Sequence, residues 1–209
     1  MKPFTKAVGV AAPIEGSNID TDQIVPGRFL KRDRAEGYGP VLFHDMRFDG
    51  NGQEHADFVL NRAPFREATI LIVDDNFGCG SSREAAAYAL HDFGIRAVLA
   101  PSFGDIFYNN AMKNGIVPVR LPQATLAAAR RAMGAGADPI VTVDLEALSV
   151  SLPDGVQAGF SIDPFWRECL LKGVDDLELT LSMAEDIARF ESAYHADMPW
   201  VALSKDAVT

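Results

Sequence analysis

The stretch Asp74 to Glu84 (DDNFGCGSSRE) constrains this chain more than any other. An apolar run, Ile70 to Val73, leads into it, and a segment of small residues, Ala85 to Phe93, leads away. The order is strand, glycine loop, helix start. Glycine lets backbone N–H groups approach a ligand closely, and the first turn of a helix leaves N–H groups unpaired. Such a junction suits an anion. Gly78 and Gly80 shape the loop, Ser81 and Ser82 add two hydroxyls, and Arg83 offers a planar fork of donors matched to a carboxylate. A serine with no histidine beside it is a poor nucleophile. It can act as a base only where cations and N–H dipoles hold its alkoxide. A structural account also fits, because Ser81 and Glu84 have the S-x-x-E spacing of a capping box. Spacing leaves both readings open, since the loop is neither a phosphate-binding P-loop nor a dinucleotide fingerprint.

The rest of the chain supplies a frame for this turn. Residues 4–12 predict a first strand ending at Pro13. Ala68 to Val73, Ala97 to Ala100 and Ile116 to Leu121 predict three more, with helices over Ser82 to Phe93 and Phe103 to Asn114 between them. That βαβαβ rhythm implies parallel strands with right-handed crossovers. Pro122 opens a further helix over Gln123 to Met133. Residues 140–144 and 148–152, then 156–162 after the turn Pro153-Asp154-Gly155, predict an appended hairpin. Asp163 caps a helix from Pro164 that stops before Gly173. Ser182 and Glu185 have capping-box spacing for a last helix to about Tyr194, with fraying expected beyond Pro199. The whole reads as one α/β domain over residues 1–209. An N-terminal strand and loop region spans 1–67, a βαβαβ core 68–121, and hairpin and terminal helices 122–209. Glycine and charge dominate residues 28–52, which predicts either a surface cover or a stretch that orders only on a partner.

A net charge of −10 argues against nucleic acid or an anionic membrane as partner. Two cysteines, Cys79 and Cys169, cannot build a disulfide framework, which points to the cytoplasm. No apolar run is long enough to span a bilayer, and residues 1–4 begin no signal peptide.

Asn76 to Glu84 (NFGCGSSRE) resembles the signature of the small-subunit, or swivel-domain, family of the aconitase and isopropylmalate isomerase superfamily. Residues 18–26 (NIDTDQIVP), 58–61 (FVLN) and 100–121 (APSFGDIFYNNAMKNGIVPVRL) resemble the same family in the same order. Residues 163–176 (DPFWRECLLKGVDD) resemble the C-terminal segment of its dehydratase small subunits. The resemblance implies a swivel-type β/β/α fold. It also implies that Ser81 removes a proton from the substrate carbon, while Ser82 and Arg83 hold the substrate carboxylate and steady the alkoxide. Asp22 matches an aspartate beside the active site. Arg32, or Lys31 one register away, matches a basic residue that reaches a substrate carboxylate, and residues 28–37 resemble a substrate-selecting loop.

The implied reaction isomerises 2-isopropylmalate and 3-isopropylmalate by dehydration and rehydration, in leucine biosynthesis. Its substrate is a 2-hydroxy dicarboxylate whose departing hydroxyl needs a Lewis acid. In the family that acid is a [4Fe–4S] cluster held by three cysteines. This chain has two, so the resemblance implies a separate large subunit carrying the cluster, and no metal held here. The family reads G-S-S-R-E-H-A where this chain has Ala85 after Glu84. That departure keeps open a relative acting on citramalate, a dimethylmalate or a homoaconitate-type diacid. A partnerless carboxylate-binding module is the non-enzyme alternative.

Overall fold

The computed structural model describes residues 1–201. The fraying expected at the C-terminus therefore lies mostly outside the described residues. A seven-stranded mixed sheet carries the fold, in the order β4-β3-β2-β1-β5-β6-β7. Its strands are β1 Lys6–Pro13, β2 Ile70–Ile72, β3 Ala97–Ala100, β4 Val117–Arg120, β5 Ile140–Asp144, β6 Ser149–Ser151 and β7 Gln157–Gly159.

Strand β1 belongs to both halves of the sheet. Its first residues run antiparallel to β5, from Lys6 opposite Asp144 to Val10 opposite Ile140. Its last three run parallel to β2, from Ala11 opposite Ile70 to Pro13 opposite Ile72. Strands β2, β3 and β4 are parallel and linked by α3 Glu84–Phe93 and α4 Asp105–Lys113, which is the expected βαβαβ core. The appended β5-β6-β7 meander is antiparallel.

Helices cover both faces of the parallel half, so its strands are apolar without a break. Leu71, Val73 and Val98 face one core, with Ala86 and Leu90 of α3 and Phe107 of α4. Ile70, Ile72 and Leu99 face the other, with Leu126 and Ala129 of α5 Gln123–Gly134 and Leu170 of α6 Pro164–Lys172. Cys169 is fully buried on α6, where it serves as core. As expected, Asp163 caps α6, accepting from the Phe165 N–H at 2.9 Å, and Gly173 closes it at a φ of +71°.

Residues 28–52 are folded as a cover over α3, built from 3₁₀ turns and the short helix α2 His44–Arg47. The stretch departs from the partner-dependent expectation because its apolar residues have a core to join. Tyr38, Val41, Leu42 and Phe43 are all buried. Arg34 also pairs with Asp92 of α3, and the Tyr38 N–H donates to the same carboxylate at 2.8 Å.

Two short elements differ from the sequence reading. Ser182 does not cap the last helix, α8 Ala184–Asp197; its hydroxyl donates to the Leu179 carbonyl instead. The capping box sits earlier, where Asp175 and Glu178 open α7 Asp176–Leu181. Ser182 is consumed by ending α7, which the reading had passed over.

Asp74, at the end of β2, ties three segments together. It accepts from the Gly16 N–H at 2.8 Å and from Arg130 of α5 at 2.5 Å. Arg130 also donates to the carbonyls of Ile14 and Ile72. Burial pushes the Asp74 carboxyl up, but the Gly16 N–H and Arg130 outweigh it and hold it below the usual range. A depressed folded-state pKa contributes stability above the unfolded value, lost as pH falls through the folded one. Asp74→Asn should cost roughly 1–3 kcal/mol at neutral pH. The gap from wild type should close below about pH 4. Urea unfolding at both pH values checks this, and an equal gap at both would contradict it.

Candidate active site

The loop from Asp74 to Arg83 is gripped from two sides. On one side, residues 18–22 bond its main chain. The Asn18 N–H donates to the Asp75 carbonyl, the Gly78 N–H to Ile19, and the Thr21 N–H to Cys79, at 2.9, 2.7 and 3.0 Å. The Thr21 hydroxyl donates to the Ser81 carbonyl at 3.0 Å. On the other side, Ser102 accepts from the Asn76 N–H through its hydroxyl and donates that hydroxyl to Asp75 at 2.6 Å. The Gly104 N–H donates to the Phe77 carbonyl at 2.9 Å. Strand-like bridges pair Asp20 with Cys79 and Phe77 with Phe103, so the loop is the middle of three short strands. The motifs at 18–26 and 100–104 are thus the two jaws that hold the serine turn.

Gly78 has to be glycine twice over. Its φ is +72°, and a Cβ there would lie 2.2 Å from Cγ of Phe107. Gly80, at a φ of +91°, then turns the chain outward. Ser81 and Ser82 are exposed as a result. Among the described residues neither hydroxyl has a hydrogen-bond partner.

The capping box that the Ser81–Glu84 spacing allowed is absent. Arg83 is the residue before α3, extended at φ −126° and ψ 100°, and no side chain caps the helix. Glu84 accepts from Asn114, just past the end of α4, at 3.2 Å rather than reaching back. With the Ser81 carbonyl fixed by Thr21, the helix starts too late for Ser81 to cap it. No side chain caps α3, and both hydroxyls are left for a ligand; of the first-turn N–H groups, that of Ala86 turns back to the Arg83 carbonyl at 3.2 Å.

Arg83 pairs through Nη1 with Asp22, which also accepts from the Gly27 N–H at 2.7 Å. Arg83 first, then that N–H, hold the Asp22 carboxyl below the usual range. Nη2 of Arg83 has no partner among the described residues. Asp22 and Arg83 are brought together, on the turn that carries Gly78, Gly80, Ser81 and Ser82.

Arg32 and Lys31 are placed differently. Arg32 donates from Nε to the Gly37 carbonyl at 2.6 Å and from Nη2 to the Glu36 carbonyl at 3.2 Å, bracing its own loop. Lys31 is exposed. Arg28 follows Gly27, whose N–H Asp22 accepts, and its charge and that of Asp22 act on each other. Arg28 pairs with Asp45 and lies 3.2 Å from Nδ1 of His44. This pairing lowers the Asp45 carboxyl to about 2. Arg28, His44, Asp45, Phe48 and His55 border a cleft of about 630 Å³. Sequence reading passed over Arg28. Its signal was position, as the first cation after the Pro26-Gly27 turn that Asp22 accepts from.

Among the described residues no group of three or more His, Cys, Asp or Glu is arranged to hold a metal ion. Cys79 and Cys169 do not fit a cluster site on this chain.

The first 124 residues match the family described as aconitase C-terminal domain. A 3-isopropylmalate dehydratase small subunit from Rhodospirillum centenum is 51% identical over 200 residues, covering 96% of this chain and 98% of the relative. The chain belongs to the 3-isopropylmalate dehydratase small-subunit family. A small subunit from Rhodospirillum rubrum is 49% identical over 98% of this chain. The crystal structure of a 3-isopropylmalate dehydratase from Methanocaldococcus jannaschii superposes with a TM-score of 0.62 at 26% identity, covering 88% of this chain and 99% of that one. Residues 179–204 match a further family, the C-terminal domain of the dehydratase small subunit.

Replacing Gly78 with alanine should lower the unfolding free energy by roughly 1–3 kcal/mol, through overpacking and backbone strain together. Phe107→Leu in the same chain should restore little, because leucine keeps the Cγ and Cβ that the added methyl would meet at 2.2 and 2.6 Å and leaves φ unchanged. Denaturant titration of the single and double variants checks this, and full restoration would mean that φ costs nothing there.

Proposed function

We infer that this chain is the small subunit of a 3-isopropylmalate dehydratase, a hydro-lyase that interconverts 2- and 3-isopropylmalate in leucine biosynthesis. The observation that carries the reading is the pair of unpartnered serine hydroxyls beside Arg83 and an uncapped helix start, in a chain about half identical to dehydratase small subunits along almost its whole length.

The reaction removes a proton α to a carboxylate and expels hydroxide from the neighbouring carbon; water then adds in the opposite sense. The proton is weakly acidic, so positioned cations must stabilise the charge that builds on the carboxylate. Ser81, as the alkoxide, takes the proton onto its oxygen and later returns one to the alkene. Arg83 and the first N–H groups of α3 lower the cost of that alkoxide and bind the carboxylate, with Ser82 as a further donor. Asp22 fixes the direction in which Arg83 points. Arg28 takes the second carboxylate, with Lys31 exposed on the same loop, and Arg32 keeps the 28–37 loop in shape. A [4Fe–4S] cluster, which the family resemblance assigns to the large subunit, would supply the Lewis acid for the departing hydroxyl. Two free cysteines are compatible with a cytoplasmic enzyme.

Ala85 does not redirect the substrate. It is 8% exposed and packs in the core with Ala86 and Ala89, so the departure from the family motif sits behind the turn.

Ser81→Ala, reconstituted with the large subunit, should lose at least about 10²-fold in kcat on 3-isopropylmalate. Turnover within a few fold of wild type would remove Ser81 from the chemistry. Arg28→Ala should raise KM by about 10-fold, the scale of one charge-assisted hydrogen bond. Arg32→Ala should move it less. Steady-state kinetics of both variants separate the two arginines, and the reverse ranking would return the carboxylate to Arg32.

A further inference from the structure

The direction of the Ser81 hydroxyl is not fixed by any bond of its own. Ser81 is exposed, and its hydroxyl has no hydrogen-bond partner among the described residues. The main chain beneath it must therefore set where the oxygen points. That main chain follows Gly80, which sits at a φ of +91°. A residue without a Cβ moves more freely than any other, so the turn needs a restraint at this place.

Thr21 supplies it with two bonds. Its N–H donates to the Cys79 carbonyl and its hydroxyl to the Ser81 carbonyl, both at 3.0 Å. One carbonyl lies on each side of Gly80, so a single residue spans the flexible one. Thr21 is 3% exposed, which keeps water from competing for the hydroxyl. Branching at Cβ also restricts its χ1. Among the described residues no other side chain bonds the main chain of residues 81–83.

Thr21 is itself held. It opens a single-turn helix, α1 Thr21–Ile24, which a complete capping box closes. Asp20 accepts from the N–H groups of Asp22 and Gln23 at 2.9 and 2.8 Å, and the Gln23 side chain accepts from the Asp20 N–H at 2.9 Å. The residue after Thr21 is Asp22, the partner of Arg83. Consecutive residues of one locked turn thus hold the serine and the guanidinium. Their relative placement is built into α1 rather than into the exposed loop.

We propose that Thr21 is a positioning residue for the proton transfer. Through the Ser81 carbonyl it aims the Ser81 oxygen, while Asp22 separately aims the Arg83 charge. The proposal rests on the reading of Ser81 as the base, and adds the group that fixes its direction.

Thr21→Val tests it, because valine keeps the shape and the N–H and loses only the hydroxyl. Reconstituted with the large subunit, this variant should lose about 10-fold in kcat on 3-isopropylmalate, since small displacements of reacting groups are costly. KM should stay within about 2-fold, because Arg83 and Asp22 are untouched. Thr21→Ser, which keeps the hydroxyl, should recover most of the loss. Calorimetric stoichiometry with the large subunit reads the competent fraction and should equal that of wild type. In the Ser81→Ala background Thr21→Val should leave the residual rate unaltered, because Thr21 acts only through Ser81. An equal fractional loss in both backgrounds marks a purely structural role and overturns the proposal. So does a kcat for Thr21→Val within about 2-fold of wild type. Wild-type turnover by Ser81→Ala alone removes the base, and the parent reading fails with it.

Discussion

The ion pair between Arg83 and Asp22 joins the serine turn to the loop that precedes it by some sixty residues, and the arrangement of the site depends on it. Arg83 is positioned at the entrance to α3, where its charge and the helix N–H groups act on the same small volume. Without a fixed partner the guanidinium would sample many rotamers, and an ordered cation is what an alkoxide requires. Asp22 is itself held by the Gly27 N–H, so the pair is anchored at both ends. The main-chain bonds from Asn18 to Thr21 on one side and from Ser102 to Gly104 on the other then make the turn rigid. Chemistry of this kind needs donors in place before the charge develops, and main-chain groups bonded on both sides meet that need.

The frame around the turn was largely legible in the sequence. Residues 97–100 and 140–144 are found as strands because their burial leaves an unbroken or alternating apolar pattern. The helix from Pro164 is found because Asp163 and Gly173 mark its ends. These are local signals, and local energetics decide them. The capping boxes were not legible in the same way. Ser81-x-x-Glu84 and Ser182-x-x-Glu185 both have the spacing, yet neither forms, because a distant group claims part of each. Thr21 takes the Ser81 carbonyl, Asn114 takes Glu84, and the end of α7 takes Ser182. Long-range contacts overrode local preference at both places.

The site shows the same division. The adjacency of the serine turn and Asp22 follows from their motifs, because those motifs are themselves the main-chain path. The choice among the cations of residues 28–34 could not. Arg28, Lys31, Arg32 and Arg34 lie within one turn-rich stretch, and only the fold separates them. Arg34 reaches Asp92, Arg32 braces Gly37, and Arg28 pairs with Asp45 at a cleft of its own. Of the two readings of the glycine-rich stretch, the surface cover holds for a related reason. Composition there favours mobility, but Tyr38, Leu42 and Phe43 find the apolar flank of α3 once the chain is folded.

The central claim is that Asp22 acts on catalysis only through Arg83. A double-mutant cycle of Asp22→Asn and Arg83→Gln on kcat of the reconstituted enzyme measures it directly. The account predicts that Asp22→Asn costs activity in the wild-type background and little once Arg83 is gone, an interaction energy of about 1 kcal/mol or more. Effects that add within roughly 0.5 kcal/mol would show the two residues working independently, and would contradict it.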